Sequence, residues 1–305
     1  MKEMKEILSP SFKDFKIQHS TSIFWKRCLA INSQFCEAVV KAGYLSWEQM
    51  VSAACRYRLG VSKLGGVIFW QIDQEERVRD GKVMYYRADC HRDKQHNPTW
   101  VSALLRKRDP FPGSPHETSH CFFGTHLLTE SYFKSHTEIT EITERPKGQI
   151  EITDDTDYFL NTDFMDYKDY AAKAAPAQPV PEALSVISVI SVCPKKSVCM
   201  VEAEKTAVIL SEVYPQYVWL AAGGLFELQP QKFWALQHCR IILLPDTDEE
   251  LRAYTEWYDV AQQVMQSFLW PKQNRIYVSD FLERHASADQ KRRKIDLVDY
   301  IQEST

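Results

Sequence analysis

The chain has 305 residues, 44% of them hydrophobic and 12% aromatic, and a formal net charge of −4. That is enough apolar material for one large core or two modest ones, and two domains is the expectation. The acidic balance excludes a protein coated in positive charge that binds nucleic acid indiscriminately. No apolar run reaches the roughly 18 residues of a membrane span, and MKEMKEILSPSFKDF has no secretory-signal pattern, so a cytoplasmic protein without a membrane partner is expected.

Cysteines at 28, 36, 55, 90, 121, 193, 199 and 239 contain no Cys-x-x-Cys pair, and reduced thiols are expected. The group Cys90, His91, His96, His116, His120 and Cys121 offers zinc-type ligands at spacings that match no zinc pattern, and zinc is not expected.

In chain order, residues 1–54 read as a helical N-terminal segment. SFKDF, IFWKRCLAI and NSQFCEAVVKAGY have apolar residues near helical spacing, and LSWEQMVSAACRYRLG reads as a helix N-capped by Ser46 and stopped at Gly60. Residues 55–129 are expected to form an α+β subdomain. GGVIFWQID and KVMYYR read as a strand pair around the charged turn EERVRDG, which contains Gly81. Prolines at 98, 110, 112 and 115 break the stretch after it into loops around one short helix. From Glu151 to Asp169 seven acids face one lysine, and AAKAAPAQPVPEA follows, so residues 130–192 read as an insertion or linker, partly disordered.

Residues 193–280 alternate short apolar runs (VCMVE, YVWLAA, CRIILLP, RIYV) with amphipathic ones (EKTAVILSEVY, QPQKFWALQ, EELRAYTEWYDVAQQVMQSFL). Apolar runs of that length between helices mark strands buried on both faces, so a small doubly wound parallel sheet is predicted, an α/β fold preceded by the α+β subdomain. Residues 281–305 read as a helical tail. From Arg56 to Arg108 twelve basic residues face six acids, and from Lys272 to Lys294 seven face three. Both stretches read as phosphate-facing or as solvated charged faces, and for the second, with its QKRRK run, the two readings are equal.

Ligands of such sheets sit at the carboxyl ends of the strands. That rule selects Glu202 after the first strand, Gly223 and Gly224 after the second, and Asp246 and Asp248 after the third. Three carboxylates at one edge repel one another unless a hard cation joins them, which points to Mg²⁺ (or Mn²⁺) held by Glu202, Asp246 and Asp248. A Gly-Gly turn lets backbone approach a phosphate, and Lys205 could pair with one from the side. Taken singly, Asp246 and Asp248 would make a polar turn and helix cap before EELRAY, and Lys205 would pair with a nearby acid.

VCMVEAEKTAVIL, WLAAGG and IILLPDTDEE resemble the three signatures of toprim domains, which occur in primases, topoisomerases, nucleases and recombination proteins. The resemblance implies that Glu202 is a general acid or base and that Asp246 and Asp248 hold the metal. Ala203 stands where many members have Gly. RLGVSKLGGVIFWQIDQEERVRDGKVMYY, HNPTWVSALL and CFFGTHLL are similar in order to the N-terminal subdomain of DnaG-type bacterial primases. Over residues 55–128 and 198–300 the chain also resembles primase-like toprim proteins of bacterial mobile elements. It lacks the zinc ribbon that often begins such relatives, and residues 130–190 widen a gap that is short in primases.

The resemblance implies primase-like nucleotidyl transfer on single-stranded DNA with nucleoside triphosphates, for a mobile element or phage-like replicon, with a replicative helicase or another mobile-element protein as partner. Arg56, Lys63, Arg77, Arg79, Lys82, Arg87 and Arg92 would then bind backbone or triphosphate. A toprim nuclease using the same carboxylates, and an inactive nucleic-acid-binding adaptor, remain the alternatives. The absence of G-x-x-x-x-G-K-[ST] excludes a P-loop motor.

Overall fold

A computed structural model describes residues 33–106, 120–128, 197–272 and 274–304. The helices expected in SFKDF and IFWKRCLAI, and the insertion expected over 130–192, lie outside these residues.

Two serines start the first two helices. The Ser33 hydroxyl accepts the Cys36 N–H at 3.2 Å to open α1 (Gln34–Lys41). Ser46 and Gln49 form a reciprocal capping box that opens α2 (Trp47–Arg56). The boundary expected between residues 54 and 55 therefore falls inside one helix. Gly60 does not stop α2: the chain turns at Arg58, which adopts φ 53°, and Gly60 begins β1 (Gly60–Val61). A Cβ on Gly60 would lie 2.5 Å from Trp70 Nε1, so that glycine is needed by the sheet.

β1 is followed by β2 (Val67–Ile72), β3 (Val78–Met84) and β4 (Thr99–Trp100), which make an antiparallel sheet in sequence order. The hairpin turns on Asp73, whose Oδ1 accepts the N–H groups of Glu75 and Arg77 at 3.0 and 2.9 Å. Local side-chain bonding of this kind sets the turn. Gly81, expected in the turn, lies within β3 opposite Trp70, where a Cβ would come within 2.6 Å of the indole ring. The short helix after β4 is α3 (Val101–Arg106).

The second sheet is parallel, with β5 (Ser197–Val201), β6 (Val218–Ala221), β7 (Arg240–Leu244) and β8 (Ile276–Val278) in the order β6-β5-β7-β8. Every residue of β6 and all but the first of β5 and β7 are shielded from water, as strands covered on both faces require. α4 (Glu204–Val213) connects β5 to β6, and α5 (Arg252–Gln266) connects β7 to β8. QPQKFWALQ forms a 3-10 helix, Pro230–Leu236, with proline in its first turn. The chain closes with α6 (Phe281–His285), α7 (Ala288–Arg293) and α8 (Leu297–Ser304). The architecture is thus mixed α/β, one parallel and one antiparallel four-stranded sheet.

One contiguous core runs from Phe35 to Tyr300 and includes side chains of both sheets. Phe123 and Ala221 exchange backbone hydrogen bonds of 3.0 and 3.1 Å, so the CFFG segment covers the free edge of β6. Tyr57 donates its hydroxyl to the Trp219 carbonyl at 2.8 Å and stacks on Phe123. Arg56 pairs with Glu212 at 2.8 Å, which binds α2 to α4.

His126, in the 3-10 turn Thr125–Leu127, is buried with Nε2 3.1 Å from the Arg56 carbonyl, and its Nδ1 has no hydrogen-bond partner among the described residues. Burial pushes its pKa down to about 4. A depressed histidine is stable in its neutral form, and the unfolded chain takes up the proton first as pH falls. Stability is therefore expected to drop between about pH 6.5 and 4, by about 3 kcal/mol from this residue. In urea titrations across that range, His126→Gln, which retains a donor for Arg56, should flatten the decline.

Candidate active site

Parallel sheets present their strand ends at one edge, and a crevice opens where the strand order reverses. Here the chain leaves β5 for β6 on one side and returns to β7 on the other, so the reversal lies between β5 and β7. These strands pair in register, ending with Val201 opposite Leu244. Glu202 is one residue beyond that rung and Asp246 two, on neighbouring strands at the same edge.

Both side chains are partly exposed. Burial raises the Glu202 pKa, against the pull of Lys82 and of the Leu225 N–H that faces its carboxylate. Asp246 is pushed well above the ordinary aspartate range, first by burial and then by the facing charges of Glu202 and Asp296. Neither carboxylate forms an ion pair among the described residues.

Asp248 is differently engaged. Its Oδ1 accepts the N–H groups of Glu250 and Arg252 at 2.9 and 3.1 Å, and its Oδ2 that of Ala253 at 2.9 Å. Burial works to raise its pKa and is outweighed by these bonds and by Lys294, so it stays low. Asp248 thus secures the entry into α5 and fixes the loop that presents Asp246. Among the described residues no group of three or more His, Cys, Asp or Glu side chains is placed to hold a metal ion. The arrangement offers two facing carboxylates, and that donor set fits a hard divalent cation completed by water and phosphate oxygens.

The glycine turn is where the order of strands puts it. Gly223 and Gly224 adopt φ 98° and 152° directly after β6, and the Gly223 N–H donates to the Glu202 carbonyl at 2.9 Å. A Cβ on Gly223 would meet Glu204 Oε1 at 3.2 Å. The lysine at this turn is Lys82, from β3 of the other sheet. Its Nζ donates to the Gly223 carbonyl at 2.5 Å and lies 3.1 Å from Glu204 Oε2.

Lys205 has another role than phosphate pairing. It is largely shielded from water, 3.4 Å from both Asp296 and Asp299, with its Nζ 5.7 Å from the centre of the Tyr44 ring. Burial would lower its pKa, and the two aspartates reverse that and raise it. Asp296 also accepts the Thr206 hydroxyl at 2.5 Å and the Asp299 N–H at 2.8 Å. Burial would raise the Asp296 pKa, and Lys205 with Thr206 holds it low. The Thr247 N–H donates to the Ile295 carbonyl at 3.2 Å, tying the acid loop to the same C-terminal segment.

The other basic residues singled out in the sequence do not gather at this edge. Arg56 pairs with Glu212, Arg77 and Arg79 with Asp73, and Arg87 with Asp89. Lys63 is exposed in the turn between β1 and β2, and Arg92 in the loop between β3 and β4. His91 and His96 bond Asp89 and Asp93 in that loop, and His120 bonds Asp80. Asp296 and Asp299 went unnoticed in the sequence because the basic run before them, which ends at Lys294, masked the apolar pattern of KIDLVDY, the one signal of burial available there.

Residues 33–152 and 186–247 match a family described as Domain of unknown function (DUF6371), and together they exceed half of the chain. The chain belongs to this family. The DUF6371 match includes Glu202, the glycine turn and Asp246, and it ends before Asp248 and Asp296. It also passes over residues 153–185, most of the acidic and Pro/Ala-rich stretch. No curated protein and no solved structure matches the chain.

Two substitutions test this electrostatic description. Lys205→Met leaves the buried Asp296 and the half-buried Asp299 without their cation and should cost about 3–5 kcal/mol in urea denaturation. Asp246→Asn removes one of two facing charges and should stabilise the metal-free protein at pH 7 by about 1 kcal/mol, read as a higher melting temperature.

Proposed function

We propose that this DUF6371 chain is a toprim-type enzyme of Mg²⁺-dependent phosphodiester chemistry, and that it acts as a primase-like nucleotidyltransferase, joining nucleoside triphosphates on single-stranded DNA. The single observation behind the reading is the meeting of Glu202 and Asp246 at the reversal point of a parallel sheet, beside the Gly223–Gly224 turn. The order of strand, acid, helix, glycine turn and acidic loop supports it further.

In this reading Glu202 and Asp246 hold the metal, while Asp248 fixes the acidic loop through the first turn of α5. When bound, Mg²⁺ or Mn²⁺ would stabilise the charge on attacking and leaving oxygens. Glu202 would also be the group that takes or gives a proton at the reacting phosphate. Backbone at the glycine turn would lie against phosphate, and Lys82 holds that turn in place through its carbonyl. A nuclease would use the same carboxylates on the same strand. An inactive adaptor is the second reading, and the observation favouring it is that backbone N–H groups occupy both oxygens of Asp248, leaving only Glu202 and Asp246 of the three acids for a metal.

The test is to incubate the protein with single-stranded template, labelled triphosphates and Mg²⁺. New labelled strands mean synthesis, and shortened template means cleavage. Glu202→Gln should abolish either product with little change in DNA affinity, because it alters charge and not volume. Asp246→Asn should raise the Mg²⁺ concentration needed. Full activity in Glu202→Gln would overturn the mechanism, and a wild-type protein that titrates no Mg²⁺ or Mn²⁺ would leave the adaptor.

A further inference from the structure

We propose that Phe226 and Arg252 form a stacking platform for a nucleobase at the rim of the carboxylate site. The inference rests on reading Glu202 and Asp246 as a phosphodiester site, and it adds the part of the substrate that the carboxylates do not touch.

Phe226 is the middle residue of the 3-10 turn Leu225–Glu227, which follows Gly223 and Gly224 without a break, and the residue is 60% exposed. The turn is held from two sides. The Leu225 N–H faces the Glu202 carboxylate, and the Leu225 carbonyl accepts the indole N–H of Trp257, a fully buried residue of α5, at 3.1 Å. One residue of fixed backbone therefore separates the exposed ring from the acid.

Arg252 comes from the other loop of the site. It is the first residue of α5, its N–H is bound by Asp248, and its guanidinium carbon lies 5.1 Å from the centre of the Phe226 ring. It is exposed, and among the described residues it pairs with no carboxylate. Leu251, immediately before it, is held in the left-handed region at φ 57° and is 45% exposed. A single exposed apolar side chain is ordinary. Here an exposed ring issues from the glycine-turn loop after β6, and a free cation stacked on it and a strained exposed leucine issue from the loop that presents Asp246.

A nucleobase matches these groups. Its flat apolar face stacks on a phenylalanine ring, an arginine plane adds a cation–π contact, and the guanidinium can reach the attached phosphate. Both a base of single-stranded DNA and the base of an incoming triphosphate have this chemistry, and the experiment separates them.

Binding to the full chain would be measured in Ca²⁺ with two probes: fluorescein-labelled oligothymidylate by anisotropy, and ATP by calorimetry. Thermal unfolding would verify that each variant is folded. Phe226→Ala should weaken the probe that supplies the base about tenfold or more, while Phe226→Trp preserves it. A loss confined to the oligonucleotide assigns the platform to the DNA strand, and a loss confined to ATP assigns it to the triphosphate. Arg252→Gln should weaken the same probe. Unchanged binding of both probes by Phe226→Ala, or a wild-type chain that binds neither, would overturn the platform. Binding unchanged in Phe226→Ala alongside Glu202-dependent activity would sink the platform alone. Full activity in Glu202→Gln with binding lost in Phe226→Ala would sink the carboxylate mechanism alone.

Discussion

Two carboxylates held close together with no cation in contact among the described residues are costly, and the arrangement around Glu202 and Asp246 follows from how the fold meets that cost. The pairing of β5 with β7 leaves the two acids at adjacent strand ends, partly open to water and each with a raised proton affinity. Strands this apolar fix their ends firmly, so the backbone at the two acids cannot move apart without breaking the sheet's core. An edge that stores like-charge repulsion is poised to take a cation or a proton.

The charge behind this edge is neutralised from within. Lys205, one turn along from Glu202, is enclosed by Asp296 and Asp299, which the C-terminal helices bring back to the sheet. Such a cluster is weak as a source of stability and strong as a source of specificity, since removing one member strands the others in a poor solvent. It makes the last helix a structural requirement for the acidic edge. The Ile295 carbonyl adds a direct link by receiving the Thr247 N–H.

The antiparallel sheet belongs to the same unit. Its neighbouring segment supplies Phe123 to the open edge of β6, and its third strand supplies Lys82 to the glycine turn. The site therefore draws side chains from both sheets, although the parallel one alone presents the acids. The DUF6371 match includes parts of both sheets and passes over most of the acidic, Pro/Ala-rich stretch between them.

Local patterns determined much of this protein. Apolar runs of strand length between amphipathic ones marked the parallel sheet, Ser46 marked a helix start, and the placement of Glu202, the glycines and Asp246 after those runs followed from a general rule of α/β sheets. Local patterns also misassigned Gly60 and Gly81, because a glycine needed to make room for Trp70 looks the same in sequence as one needed for a turn. Only the tertiary structure decided that Lys205 is an internal counter-ion, that Lys82 is the lysine at the glycine turn, and that Asp248 binds helix N–H groups. The two lysines depend on partners 94 and 141 residues away, and charge interactions across such separations leave no periodicity in the chain, whereas the N–H groups that Asp248 binds lie two to five residues on.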